Sequence, residues 1–353
     1  MYKRHRRFRG FKPFPGDAEQ ICTGILHDLW NGRYLETDLG NYPQFYARDF
    51  GMSLPALLQL GMRKQARTTL NYALAHYKKA GKATTHLSPR GKPINFPAVY
   101  SPDSTAYLLR SVRLIGDAKM LQQHKPFLQK IANDYARKAL DKQGRVRQHK
   151  HFGGMRDHAV RNAACYDTVM AAVVQQECSL LGMQYPFAEI DYKQLLIDEY
   201  WTGSYFKDDV NNATLTADAN IYPFWLGIIN DKQRLQKAVK SIQAKGLDKP
   251  FPIKYVATSK EQGRNIWQNF FVKDWEADSV WPMSGLPYID IVAQVDKKKA
   301  RFHHQQHERL IEQHHTFIEV FDRNGKPYSS KFFTAGEGMI WCAQWLAQKE
   351  KLK

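Results

Sequence analysis

Asp157 stands in a glycine-loosened segment, His151 to Asn162, among the cations Arg156, His158 and Arg161. An apolar run follows, with Ala163, Ala164, Val169, Met170, Ala172, Val173 and Val174. A loop that delivers a carboxylate to the start of a buried helix can move a proton, hold a hydroxyl or cap the helix. The same layout recurs along the chain. Asp49 lies in Tyr46-Ala47-Arg48-Asp49-Phe50-Gly51, Asp103 in Ser101-Pro102-Asp103-Ser104, and Asp218 in Thr216-Ala217-Asp218-Ala219-Asn220. Trp281 opens Trp281-Pro282-Met283-Ser284-Gly285, and Glu337 lies in Thr334-Ala335-Gly336-Glu337-Gly338. Each precedes an apolar, helix-patterned stretch, at a repeat of about 55–65 residues.

These loops need helices to position them. Apolar residues at i, i+3, i+4 spacing mark helices around Leu54 to Met62, Tyr107 to Leu114, Ile190 to Tyr200 and Leu235 to Ile242. More polar helices are predicted at Lys64–Lys79, Leu121–Lys138, Tyr192–Tyr200, Gln233–Lys245 and Arg301–His315. Alternation of apolar and polar helices predicts two concentric rings with the apolar helices inside. All six loops would then open at one end, where helix N-termini favour carboxylates and bound hydroxyls. Two short strand candidates, Phe251–Tyr255 and Phe317–Phe321, do not imply a sheet.

The chain has 353 residues, 43% hydrophobic and 13% aromatic, which is enough for a packed core and excludes global disorder. No window holds the ~20 apolar residues of a membrane span. The four cysteines, Cys22, Cys165, Cys178 and Cys342, are scattered without a Cys-x-x-Cys pair, which points to a reduced, cytoplasmic setting. The net charge of +18 is spread over the chain, with one dense run from Lys3 to Arg9. Polyanion or nucleic-acid binding through this basic tail is a secondary reading. His303 and His307 have i, i+4 spacing but lack the accompanying glutamate of a metal helix, so no metal is expected. Gly81–Pro93 reads as a long loop bordering the mouth.

In this arrangement the sequence resembles the six-hairpin, (α/α)6-barrel glycoside hydrolases, a group that includes neutral/alkaline invertases, trehalases, processing glucosidases and mannosylglycerate hydrolases. Tyr46-Ala47-Arg48-Asp49-Phe50 is similar to their aromatic-x-Arg-Asp-Phe segment, and Pro102-Asp103-Ser104 with Leu108-Leu109-Arg110 to their second motif. Met155-Arg156-Asp157 matches the segment bearing the general acid, and Glu319-Val320-Phe321-Asp322 the segment bearing the general base. The segment after Asp157, His158-Ala159-Val160-Arg161, departs from the invertase pattern, and it also lacks the Asn-Ser-Pro of the glucosidase pattern.

The resemblance implies an all-α, (α/α)6 barrel over residues 21–350, preceded by a basic tail at 1–20. It implies an inverting glycosidase for a small or terminal α-linked, glucose-containing sugar, without cofactor. Asp157 would be the acid and Glu319 the base, with Glu337 the rival base. Tyr46, Arg48, Asp49, Asp103, Arg156, Trp201, Asp218, Trp281 and Glu337 are the expected substrate contacts. An acid needs a raised pKa, so Arg156 and Arg161 are expected to point away from Asp157, and aromatic side chains to shield it. The alternatives are a non-catalytic toroid that binds carbohydrate or polyanion, and a lyase or phosphorylase on the same barrel, in which His158 and Tyr166 would matter more.

Overall fold

A computed structural model describes residues 12–353, so the basic run Lys3–Arg9 lies outside the described residues. Among them are twelve α-helices: α1 Ala18–Leu29, α2 Ala47–Gln59, α3 Arg63–Ala80, α4 Pro102–Ile115, α5 Ala118–Ala139 and α6 Cys165–Leu180, then α7 Tyr192–Tyr200, α8 Ala217–Trp225, α9 Lys232–Ala244, α10 Pro282–Ala293, α11 Lys297–His314 and α12 Cys342–Leu352.

The even-numbered helices form a closed inner ring. α2 packs on α4, α4 on α6, α6 on α8, α8 on α10, α10 on α12, and α12 returns to α2. The odd-numbered helices lie outside, each against its inner partners. The expected (α/α)6 barrel is therefore the observed architecture. Sequence periodicity marks five outer helices. The sixth is α1, which starts at Ala18, inside the stretch assigned to the tail, and buries Ile21, Cys22, Ile25 and Leu29 against the ring.

Composition explains the two rings. α6 buries Val169, Met170, Ala171, Ala172, Val173 and Val174 in succession, as a helix enclosed on all sides must. α5 and α9 bury single stripes, such as Leu235, Ala238, Val239 and Ile242. Small residues bring the inner helices close: a Cβ on Gly51 would lie 2.6 Å from Cβ of Tyr107.

Capping separates the rings as well. Asp17, Asp117, Asp191, Asp231 and Asp296 are N-caps of outer helices, and each side chain accepts a backbone N–H in the first turn. No inner helix has such a cap among the described residues. Asp49, Asp103 and Asp218 sit inside the first turn instead. Their carboxyl groups are engaged by other side chains, so helix capping is not what they do.

Strand content is slight. β1 Phe45–Tyr46, β2 His86–Leu87 and β3 Pro93–Ile94 form an antiparallel sheet. The expected loop at Gly81–Pro93 is thus largely a hairpin laid beside the start of α2. Phe251–Tyr255 and Phe317–Phe321 make only isolated bridges through Lys254, Val280, Ile318 and Phe321.

Candidate active site

The loops that precede the inner helices meet at one end of the barrel around a cavity of about 110 Å³. Five carboxylates line it: Asp49, Asp103, Asp157, Glu276 and Glu319. Tyr42, Tyr46, Phe96, Trp275, Trp281 and Trp341 supply aromatic walls, and Arg48 and His158 are the basic groups.

Asp157 comes from the segment before α6. Gly154 N–H donates to its Oδ1 at 3.1 Å, and Arg48 Nη2 lies 3.4 Å from its Oδ2. The contact with Arg48 is single and long, not a bidentate clamp. The side chain is 19% exposed, and that face lines the cavity. Burial pushes its carboxyl up to about 7; Arg48 opposes the shift, and the neighbouring Glu276 and Asp103 reinforce it.

Glu319 enters from the segment before α12. Its Oε2 accepts the N–H of Gly336 at 2.6 Å. Burial pushes its carboxyl up to about 8, against the hydrogen bonds from Gly336 and Tyr42, with Asp38 and Asp49 adding to the rise. Glycine is needed at 336, where a Cβ would lie 2.9 Å from that same Oε2 and also strike Asp38.

Arg48, in the first turn of α2, ties three loops together. It pairs with Asp103 Oδ2 at 3.2 Å, contacts Asp157, and donates to the carbonyl of Gly154. Asp103 also accepts from Ser101 Oγ at 2.6 Å and Tyr166 OH at 3.4 Å. Asp49 accepts Trp341 Nε1–H at 3.0 Å, and burial raises its pKa.

The cavity thus brings together Asp157, Glu319, Tyr46, Arg48, Asp49, Asp103 and Trp281. Four other expected contacts lie elsewhere. Arg156 is fully buried behind the loop, with Nη1 3.4 Å from Asp208 Oδ2 and Nη2 donating to the Gln262 carbonyl. Asp218 is fully buried and pairs with Arg161 at 2.6 Å; Arg161 also reaches Asp208 at 3.5 Å. These four charges form an ion network beneath the cavity, which explains why neither Arg156 nor Asp218 is available to a ligand. Trp201 ends α7 and packs on Phe206 and Arg234. Glu337 accepts the backbone N–H of Lys12 at 2.7 Å and does not line the cavity.

Three groups at or beside the site are not among the residues expected of it from the sequence. Glu276 accepts the N–H groups of His158 and Ala159, at 2.8 and 3.3 Å, and so anchors the chain just after Asp157. It sits in an irregular stretch where periodicity carries no signal. Asp38 accepts from the N–H groups of Gly40 and Asn41 beside Glu319; the Asp38-Leu39-Gly40-Asn41 turn is a legible signal for it. Trp341, whose indole holds Asp49, shows in the sequence only as part of the last inner segment.

Three of the four histidines of α11, His303, His304 and His307, are buried. His303 faces Asp248 at 3.5 Å, and His304 stacks on Trp345 at 4.8 Å. No group of three or more metal-ligating side chains is found among the described residues.

No family model matches the chain, and no curated protein matches it. Solved structures do. A rhamnosidase from Klebsiella oxytoca with rhamnose bound superposes with a TM-score of 0.66 at 12% identity, over 96% of this chain and 66% of that one. A wild-type glycosidase gives 0.67 at 10% identity over 95% and 96% of the two chains. The GH63 mannosylglycerate hydrolase from Thermus thermophilus, in complex with Tris and D-glycerate, gives 0.61 at 14% identity over 94% and 100%. With the closed double ring of helices, these likenesses establish that the chain has the (α/α)6-barrel fold of the six-hairpin glycosidases.

Proposed function

We propose that this chain is a glycoside hydrolase that inverts configuration at a small or terminal α-linked, glucose-containing sugar. One observation carries the reading. Asp157 and Glu319, far apart in sequence, line one cavity, and burial pushes both carboxyl groups into the range where they exchange protons near neutrality. The likeness to solved glycosidases supports the class of chemistry.

In the proposed step Asp157, protonated, gives its proton to the glycosidic oxygen as the bond to the anomeric carbon breaks. Glu319, ionised, takes a proton from the water that attacks the opposite face of the sugar. The water oxygen ends on the anomeric carbon, and the aglycone leaves as an alcohol. Solvent then returns Asp157 and Glu319 to their starting protonation states. Positive charge develops on the sugar ring during the step. Asp49, Asp103 and Glu276 surround that position with negative or dipolar groups already in place. Tyr46, Trp281 and Trp341 offer flat apolar faces to the pyranose, and Arg48 with Asp103 offers partners to its hydroxyls.

The lining argues against an acidic substrate, because Arg48 and His158 are its only basic groups among the described residues and Arg48 is already paired. No cofactor enters the scheme. Cytoplasmic localisation belongs to the same proposal and suits four cysteines that are all unpaired and buried.

The test is a hydrolysis screen over trehalose, sucrose, maltose, kojibiose, nigerose and mannosylglycerate, with Asp157→Asn as control and the product anomer followed by NMR. Release of sugar of inverted configuration by the wild type alone is expected. A product of retained configuration would overturn the roles given to the two carboxylates, and no turnover of any glycoside would overturn the class.

A further inference from the structure

The deep cavity opens outward through Tyr42, Tyr46, Phe96, His158 and Trp275, which it shares with a chamber of about 1190 Å³. The chamber is much larger than the cavity and very different in character. Its outer walls are Trp267, Phe271, Val272, Phe332 and Phe333, with Ile94 from the hairpin.

Apolar exposure on this protein is concentrated here. Nine large apolar side chains are exposed among the described residues, and five of them line the chamber: Ile94, Phe96, Trp267, Phe271 and Phe332. A sixth, Phe270, contacts Phe271 with ring centres 5.7 Å apart. Trp267 is 72% exposed, an unusual condition for a tryptophan without a ligand or partner to cover it.

The aromatic groups form a continuous wall. Trp267 meets Phe271 edge-on at 5.7 Å, and Phe271 meets Phe332 at 5.1 Å. Deeper in, Phe333 meets Trp275 at 4.7 Å and Tyr42 at 6.5 Å. Ser330 Oγ donates to the carbonyl of Phe271 at 3.0 Å, tying two segments of the wall together.

Charge narrows the choice of occupant. The chain carries 52 lysines and arginines, yet among the described residues none lines the chamber, and Glu36 is its only carboxylate. A phosphate- or uronate-bearing group would find no lysine or arginine there. Polar groups line the chamber too, from Glu36, Asn41, Gln44, His86 and Gln268, but its outer wall is a continuous aromatic surface, which suits a flat apolar group better than a sugar chain. A further polar group sits at the inner end. His158 lies at the junction with the deep cavity, is 6% exposed, and its Nδ1 has no hydrogen-bond partner.

We propose that this chamber holds the leaving group of the substrate, and that the leaving group is a neutral, flat, apolar aglycone of fused-ring aromatic type. This rests on the glycosidase reading for the deep cavity. The glycosidic bond lies at the junction, beside His158, and the rings stack against Trp267, Phe271 and Phe332.

The experiment has two arms. In the first, wild-type protein is titrated calorimetrically with 4-methylumbelliferone, an aromatic aglycone without any sugar. Saturable binding is expected, weakened at least tenfold in Trp267→Ala/Phe271→Ala and unchanged in Leu180→Ser, a change at an exposed apolar site outside the chamber. Absence of saturable binding, or binding that ignores the double substitution, overturns the proposal. In the second arm, kcat/KM is compared for a 4-methylumbelliferyl glycoside and a disaccharide with the same glycone. The ratio is expected to favour the aryl substrate and to fall at least tenfold in the double variant; a wild-type preference for the disaccharide overturns the proposal. Aglycone binding without turnover of any glycoside would remove the glycosidase reading and leave the apolar chamber standing. Turnover without aglycone binding would do the reverse.

Discussion

Arg156 and Asp157 are adjacent in sequence and face opposite ways. Arg156 is buried behind the loop against Asp208 and the Gln262 carbonyl, whereas Asp157 lines the cavity with its Oδ1 on the Gly154 N–H. The loop thereby separates a structural cation from the carboxyl group proposed as the acid. Burial raises the pKa of Asp157 even with Arg48 at 3.4 Å.

The two carboxylates should be indispensable. Asp157→Asn and Glu319→Gln are each expected to lower kcat by about 10²–10⁴-fold, the usual contribution of a general acid or base. Circular dichroism and thermal melting check that the fold persists. Turnover within threefold of wild type in either variant removes that residue from its role.

The pH profile follows from the two shifted groups. The scheme needs Glu319, pushed up to about 8, ionised and Asp157, pushed up to about 7, protonated, which is the minor of the two singly protonated forms of the pair. A narrow bell in kcat/KM centred between those values is expected, with its limbs belonging to the coupled pair rather than to single residues. An optimum below pH 5 would contradict the shifts.

Stability should run against function at Glu319. Its folded pKa lies above its unfolded one, so the native state holds a proton that the unfolded chain releases. Wild-type stability from this source is complete below about pH 4.5 and is lost as pH rises through about 8. Glu319→Gln escapes the loss. Its advantage is expected to be near zero at pH 4.5 and at least about 1 kcal/mol at pH 8.5, since a tenfold change in proton affinity is worth ~1.4 kcal/mol. Urea unfolding at the two pH values measures it, and equal stabilities at pH 8.5 would refute the burial argument.

The ion network beneath the cavity should be costly to break. Arg161→Met leaves Asp218, which is fully buried, without the cation 2.6 Å away. A loss of ~3–5 kcal/mol in urea unfolding is expected, the range for removing one partner of a buried pair. A loss under about 1 kcal/mol, the scale of an exposed pair, would show that the network does not support the site floor.

The sequence alone determined the alternation of apolar and polar helices, because a helix enclosed on all sides must be apolar all round and an outer one needs only a stripe. From that alternation came the double ring, the common mouth, and Asp49, Asp103 and Asp157 at one end of it. The family motifs added Glu319. Two features near the site were hidden. The direction of Arg156 and Asp218 depended on Asp208 and Arg161, which meet them only in the folded barrel, and a buried charge takes whichever partner spares it isolation. Glu276 likewise lay in a stretch without periodicity and gained meaning only when its carboxylate met the N–H groups of His158 and Ala159. The tertiary structure also decided where exposed aromatics gather: Trp267, Phe271 and Phe332 look like scattered apolar residues in sequence, and chain packing makes them one wall. Periodic burial is a local property of the chain, whereas pairing of charges and assembly of a surface depend on contacts between distant segments.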